Sequence, residues 1–331
     1  MATILDVANE ANVSTATVSR VLNGAYSVTE EKIQRVMAAI EKVGYQVPAR
    51  APAAVRTEAQ GESGLILTIS GNLIAPLMQP FQNFAEAEGY PVVIAYYNSN
   101  REFEHLANLV SRLTPQIAGI LLINAPNNSR KLQALLEPFP LVQIGAPIMD
   151  RAPNLVVYND EIRMTEDATN HLLAQGCRKI GLLTSETRST APLLSSGLRS
   201  KGYYLALLDR QMEVDPSCVE SVDMSIDGGY EGMKKLLERH PDLDGVIGIV
   251  DSVAQGAVYA IRRSGKTTED IRVFSLDSSE VWDFDNRHFP YIDPNYEEMA
   301  ATAFQVLRAA ILGEIRRDYR VVIPHMLCQT K

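Results

Sequence analysis

The chain has 331 residues, 46% hydrophobic and 21% charged, with a formal net charge of −9. That is a globular composition with enough length for more than one domain, and no apolar run reaches the length of a membrane span. Residues 1–10 (MATILDVANE) carry acids and lack a signal-peptide core, and Cys177, Cys218 and Cys328 lie far apart, so free thiols in a reducing cytoplasm are expected.

Residues 3–24 predict two helices and a tight turn. Ile4, Val7, Ala8 and Ala11 recur at helical spacing and form one apolar stripe. Ala11-Asn12-Val13 is the turn, with Val13 placed to plug the space between the helices. Ser14 caps the second helix, whose inner side is Val18, Val21 and Leu22. Its outer side is Thr15, Ala16, Thr17, Ser19, Arg20 and Asn23. Short hydroxyls, one Arg and one Asn are a set that reaches base edges and phosphates from a helix in the major groove. Taken alone, the same pattern also suits a surface helical hairpin.

A third helix is predicted from Thr29, or from Ser27 with Glu30 as its capping-box partner. Glu30 and Glu31 suit its positive end, and Ile33, Val36, Met37, Ile40 and Val43 form its inner stripe. Residues 1–45 thus make a small helical domain. Residues 46–61 (QVPARAPAAVRTEAQG) lose periodicity and read as a hinge or linker. Within residues 1–60, Arg20, Lys32, Arg35, Lys42, Arg50 and Arg56 balance Asp6, Glu10, Glu30, Glu31, Glu41 and Glu58, so the rest of the chain carries the whole −9. A neutral head supplies little non-specific affinity for phosphate, which points to selective binding by two heads.

From residue 62 onward, strand and helix alternate. Apolar β-rich runs at 64–70, 91–97, 118–124 and 140–145 are separated by amphipathic stretches near 78–88, 102–114 and 128–137. The pattern repeats with strands at 179–185, 244–250 and 271–277 and helices near 161–176, 191–210, 228–239 and 252–265. This predicts an all-α head followed by α/β: two lobes of doubly wound parallel sheet, with a ligand cleft at the carboxyl ends of the strands. Lobe one is expected over about 62–160 plus 293–318, and lobe two over about 161–292 plus 319–331.

Catalytic and metal motifs are missing from the pattern. Asp227-Gly228-Gly229-Tyr230-Glu231-Gly232 lacks the Lys-Ser/Thr of a phosphate loop, and its glycines are expected to end a loop ahead of a helix. There is no Gly-x-Ser-x-Gly elbow, HExxH or paired CxxC, and His105, His171, His240, His288 and His325 show no ligand spacing. No enzyme activity, cofactor or metal is expected.

With the head, hinge and two lobes in this order, the chain resembles the LacI/GalR family of bacterial transcriptional regulators, whose lobes resemble periplasmic binding proteins. The likeness is strongest over residues 3–24, with weaker echoes at Gly176–Gly181, Arg199–Tyr203, Asp251–Gly256 and Pro294–Met299. The resemblance implies that Thr15, Ala16 and Arg20 contact bases, while Ser14, Thr17, Ser19, Asn23 and Thr3 position the DNA backbone. Pairing of Arg20 with a nearby acid is the alternative. Relatives commonly carry Asn-x-x-Ala-x-x-Leu in the hinge. Here Ala49, Pro52 and Val55 stand at those positions, so Val55 would be a shorter minor-groove wedge and Pro52 a poor helix residue.

The resemblance also implies an effector site. Arg199, three residues before Gly202-Tyr203, stands where relatives grip a ligand, and Asp277 stands where they accept from ligand hydroxyls or amines. Direct pairing of Arg199 with Asp277 is the competing possibility. Other counterparts are Leu77 and Met78 in place of aromatics, Asn159 in an Asn-Asp order, Val250 before Asp251, and Trp282 as an aromatic wall or a core residue. The function implied is a cytoplasmic homodimeric repressor that binds a pseudo-palindromic operator and is controlled by a small polar metabolite, most simply a sugar. Without a Leu-rich tail, a dimer is expected rather than a tetramer. A protein co-repressor docking on the lobes is a second possibility, and a solute-binding or sugar-processing protein a remote third.

Overall fold

The computed structural model describes residues 7, 10, 11, 13, 18, 30–43, 64–71, 74–97, 102–123, 130–145, 154–185, 195–278, 289–315 and 317–329. The chain divides into two compact units, Met1–Gln60 and Gly61–Lys331.

In the first unit, helix α1 (Glu30–Val43) packs on residues of the two preceding predicted helices. Val7, Ala11, Val18, Val36 and Ala39 form a closed apolar cluster, with Val13 and Val43 against its rim. Arg35 donates to the carbonyl of Ala11 at 2.6 Å, and Lys42 bridges to Glu10 at 2.7 Å, so both polar links run from α1 to the first predicted helix. Met37 departs from its expected inward position and is 53% exposed. One residue on from Val36 turns about 100° around a helix, and Ala39, three residues on, takes the inner place instead. The expected caps at Ser27 and Thr29, and the hinge at 46–61, lie outside the described residues.

The second unit begins with β1 (Leu65–Ser70), α2 (Ala75–Ala87), β2 (Val92–Tyr96), α3 (Phe103–Leu113), β3 (Ile117–Ile123), α4 (Arg130–Leu136), β4 (Leu141–Ile144) and β5 (Leu155–Tyr158). It continues through α5 (Glu161–Ala174), β6 (Ile180–Thr184), α6 (Ser195–Asp209), β7 (Val219–Ser221), α7 (Ile226–Arg239), β8 (Gly245–Gly248), α8 (Asp251–Arg263) and β9 (Arg272–Ser275). Last come β10 (Tyr291–Asp293), α9 (Tyr296–Ile311), β11 (Tyr319–Val322) and β12 (Met326–Cys328).

Two six-stranded sheets result, in the orders β11-β5-β4-β3-β1-β2 and β12-β10-β9-β8-β6-β7. Every pairing is parallel except β10 with β12. Period-two alternation buries both faces of each sheet. In β3, Leu121 and Ile123 face a core shared with α2 and α9, while Ile120 and Leu122 face one shared with α3 and α4. In the second sheet, Leu183, Val246 and Val273 pack under α7 and α8, and Leu182, Ile247 and Phe274 under α5 and α6. Each such fully buried side chain contributes about 1.5–3 kcal/mol of transfer free energy.

The chain crosses between lobes three times: after β5, after β10, and between β11 and β12. The last crossing corrects the expected boundary, because β11 completes the first sheet beside β5, so lobe one extends through Val322. A second correction concerns Gly228 and Gly229. Ser225 caps α7 through the amide of Gly228, so both glycines lie inside the helix, not in a loop ahead of it. A Cβ on Gly229 would collide with the Val253 carbonyl, so glycine there lets α7 approach α8 closely. Among the described residues, no helix is long and apolar enough to cross a membrane.

Candidate functional site

The polar residues of the second lobe gather where strands end and crossings begin. Arg199, on α6, reaches Glu161 in the first turn of α5 through Nε, and donates from an η nitrogen to the Ile249 carbonyl just beyond β8 at 2.7 Å. Its side chain is only 11% exposed. Burial works against the guanidinium charge, but the Glu161 carboxylate in contact, followed by Asp277 and Tyr296, outweighs it and holds the pKa above its usual value. Arg199 therefore pairs with Glu161 and feels Asp277 through its field. Gly202 makes the arrangement possible, since a Cβ there would strike the Ile162 carbonyl and hold α6 away from α5.

Asp277 follows β9 and is buried. Its Oδ1 accepts from the phenol of Tyr296 at 2.7 Å and from the amide of Ser278 at 2.7 Å. Tyr296 opens α9, and its ring belongs to the core of lobe one. Burial, then the charge and hydrogen bond of Asp277, push the phenol well above its ordinary pKa, so it remains a donor. Asp251 is fully buried in the first turn of α8, where the helix N-terminus favours a negative charge. Thr184 closes β6 and Ser252 follows Asp251; the buried hydroxyl of each lacks a hydrogen-bond partner among the described residues. Buried hydroxyls of this kind cost about 1–3 kcal/mol each unless an occupant satisfies them.

The Asn159-Asp160 pair serves two separate ends. Asp160 caps α5 by accepting from the amide of Arg163 at 3.1 Å. Asn159 donates from its amide nitrogen to the carbonyls of Pro294 and Ile323, both at 2.9 Å. One side chain thereby holds all three crossing segments together. Asn159 therefore has a positioning role in the fold, and with its amide protons committed to backbone only its Oδ1 is left to accept from a ligand.

Leu77 and Met78 lie in the core of lobe one with Phe81, Phe304 and Tyr296. A fully buried Leu77 has no face to offer a ligand, which corrects its expected place on the cleft wall. Val250 forms the N-cap position of α8 without a side-chain cap. Arg199, Val250, Asp251 and Asp277 are thus brought to the carboxyl ends of lobe-two strands. Glu161, Thr184, Ser252 and Tyr296 join them, though none was singled out by residue pattern. The expected DNA contacts Thr3, Ser14, Thr15, Ala16, Thr17, Ser19, Arg20, Asn23 and Val55, and the possible wall residue Trp282, lie outside the described residues.

Comparison with known proteins agrees with this architecture. Residues 3–47 match the family described as bacterial regulatory proteins, lacI family, and residues 169–329 match a periplasmic binding protein-like domain. A ribose operon repressor of Halalkalibacterium halodurans is 27% identical over 330 residues, covering 99% of this chain and 96% of that protein. The HTH-type transcriptional regulator CelR of Thermobifida fusca is 29% identical, covering 96% of this chain and 94% of that protein. Among solved structures, a CelR–cellobiose complex superposes with a TM-score of 0.72 at 25% identity, each chain covered in full. A lac repressor dimer bound to operator shares the fold, with a TM-score of 0.67 at 22% identity over 99% of this chain and 98% of that one. The chain carries the DNA-binding domain of the lacI family and a periplasmic binding protein-like domain, its relatives along the full length are regulators of that family, and it is a DNA-binding transcriptional regulator, not an enzyme.

Proposed function

We propose that the protein is a repressor that binds a pseudo-palindromic operator as a homodimer and is controlled by a small polyhydroxyl ligand, a sugar or sugar derivative, held between its lobes. The observation that carries the ligand reading is the Glu161–Arg199–Asp277–Tyr296 cluster, which unites fixed donors and acceptors at the lobe crossings. A guanidinium with free N–H groups, a buried carboxylate and the unsatisfied hydroxyls of Thr184 and Ser252 match alternating donors and acceptors on a sugar. Relatives named for ribose and cellobiose point to the same ligand class.

The dimer reading rests on two features. A near-neutral head, predicted from sequence to hold three short helices, makes few phosphate contacts, and specific affinity then needs two half-sites. Large apolar side chains are also left exposed at Ile94 and Tyr96 on β2 and Tyr259 on α8, as a self-complementary interface requires. In the head, Thr15, Ala16 and Arg20 read bases while Thr3, Ser14, Thr17, Ser19 and Asn23 position the backbone and Val55 enters the minor groove. The effector contacts are Arg199, Asp251 and Asp277, with Val250 lining the approach.

Calorimetric titration of the full-length protein with a panel of pentoses, hexoses and disaccharides tests the ligand reading. Saturable binding of one member, weakened tenfold or more in Arg199→Lys, supports it. Absence of binding across sugars and sugar phosphates, with DNA binding intact, contradicts it.

A further inference from the structure

A second cluster of chemistry-bearing side chains lies at the opposite edge of the lobe-two sheet. Asp215 heads the short 3-10 turn Pro216–Cys218 that enters β7, Cys218 closes that turn, and His240 caps the end of α7. One ligand atom from each residue lies within 4.8 Å of the others. Cys218 and His240 are buried, while the Asp215 side chain is 40% exposed, leaving an entry from solvent. Asp215 and Cys218 precede β7 and His240 precedes β8, at the amino-terminal ends of these strands, whereas Thr184, Asp251 and Asp277 stand at carboxyl ends.

We propose that Asp215, Cys218 and His240 form a binding site for a zinc-class divalent cation, separate from the effector cleft. A thiolate, an imidazole and a carboxylate are the ligand types that zinc takes, and tetrahedral coordination brings ligand atoms to about 3.5 Å from one another. Closure from the present spacing needs shifts of about an ångström, which side-chain rotation supplies. Ser217 stands where the cation would sit: its hydroxyl is 2.9 Å from His240 Nε2 and 2.6 Å from Asp215 Oδ1. Binding exchanges that hydroxyl for metal bonds. It also replaces the Cys218 S–H bond by a metal–sulfur bond, with the proton released to solvent.

The neighbouring cations do not block the site. Lys179 is held by Asp242 at 2.9 Å and Arg239 by Glu220 at 2.6 Å. A bound cation ties the loop before β7 to the end of α7, and so stabilises lobe two by mass action.

The test is titration of the reduced, metal-free full-length protein with Co²⁺, followed in the visible and near ultraviolet. The expected result is one equivalent bound, with tetrahedral ligand-field bands and a thiolate-to-cobalt charge-transfer band, all abolished by Zn²⁺. The band should survive substitution of Cys177 and Cys328 by Ser and vanish in Cys218→Ser. Asp215→Asn keeps the turn cap and should weaken Co²⁺ binding tenfold or more, while removing any Zn²⁺-induced rise in Tm. No charge-transfer band in the wild type, or a band that persists in Cys218→Ser, overturns the proposal.

Discussion

Tyr296 Oη donates to Asp277 Oδ1 at 2.7 Å, joining the first residue of a lobe-one helix to the end of a lobe-two strand. Both groups are buried, so the bond belongs to the fold and to the crossing at once. Tyr296→Phe removes one of the buried hydrogen bonds that Asp277 Oδ1 accepts, leaving that of the Ser278 amide. The expected cost is about 1–3 kcal/mol, read from urea unfolding. If Asp277 also binds the effector, the same variant alters ligand affinity without touching the head.

The Arg199–Glu161 pair should behave as a buried ion pair. Glu161→Ala leaves a buried guanidinium without its carboxylate, and an expected loss of about 3–5 kcal/mol follows. Adding Arg199→Leu to that variant should recover part of the loss, because the uncompensated charge is gone. A double-mutant cycle in denaturant measures both effects.

Asn159→Ala strips both donors from the Pro294 and Ile323 carbonyls. Destabilisation of about 1–3 kcal/mol is expected, together with faster amide exchange at Asn295, Ile323 and His325. Exchange confined to other segments would show that Asn159 does not hold the crossings.

Cys177 supplies a pH prediction. Burial, then the nearby Asp244 carboxylate, push its thiol up to about 11. A raised pKa means that the folded state holds its proton more tightly than the unfolded chain. The stability it contributes is therefore complete below the unfolded thiol pKa and is lost as pH rises toward 11. In native protein at neutral pH, Cys177 should react with iodoacetamide far more slowly than in urea, and Cys177→Ala should flatten the alkaline loss of stability.

The strands of both sheet centres were legible because β1, β3, β4, β6 and β8 are apolar runs bounded by turn residues, and five of the seven predicted lobe helices start within two residues of their observed positions. Five other strands were not, β5 among them. β7, β10 and β12 are three residues each, too short to show a period, and β11 joins the first sheet only through pairing with distant β5. At the site, Arg199, Asp251 and Asp277 came from the family resemblance, and the fold brings them to the carboxyl ends of lobe-two strands. Glu161 was hidden because an acid in a helix's first turn has a sufficient local reason to be there. Asp215, Cys218 and His240 escaped because folding, not spacing, brings them together.

Selection of bound duplexes from a random DNA pool by the purified full-length protein, at two salt concentrations and with Arg20→Ala in parallel, tests the central claim most directly. The predicted result is enrichment of a two-fold symmetric sequence with a steep salt dependence, and loss of about 1–3 kcal/mol of affinity in the Arg20 variant. Failure to enrich any sequence, or binding that is equally strong in Arg20→Ala, would contradict it.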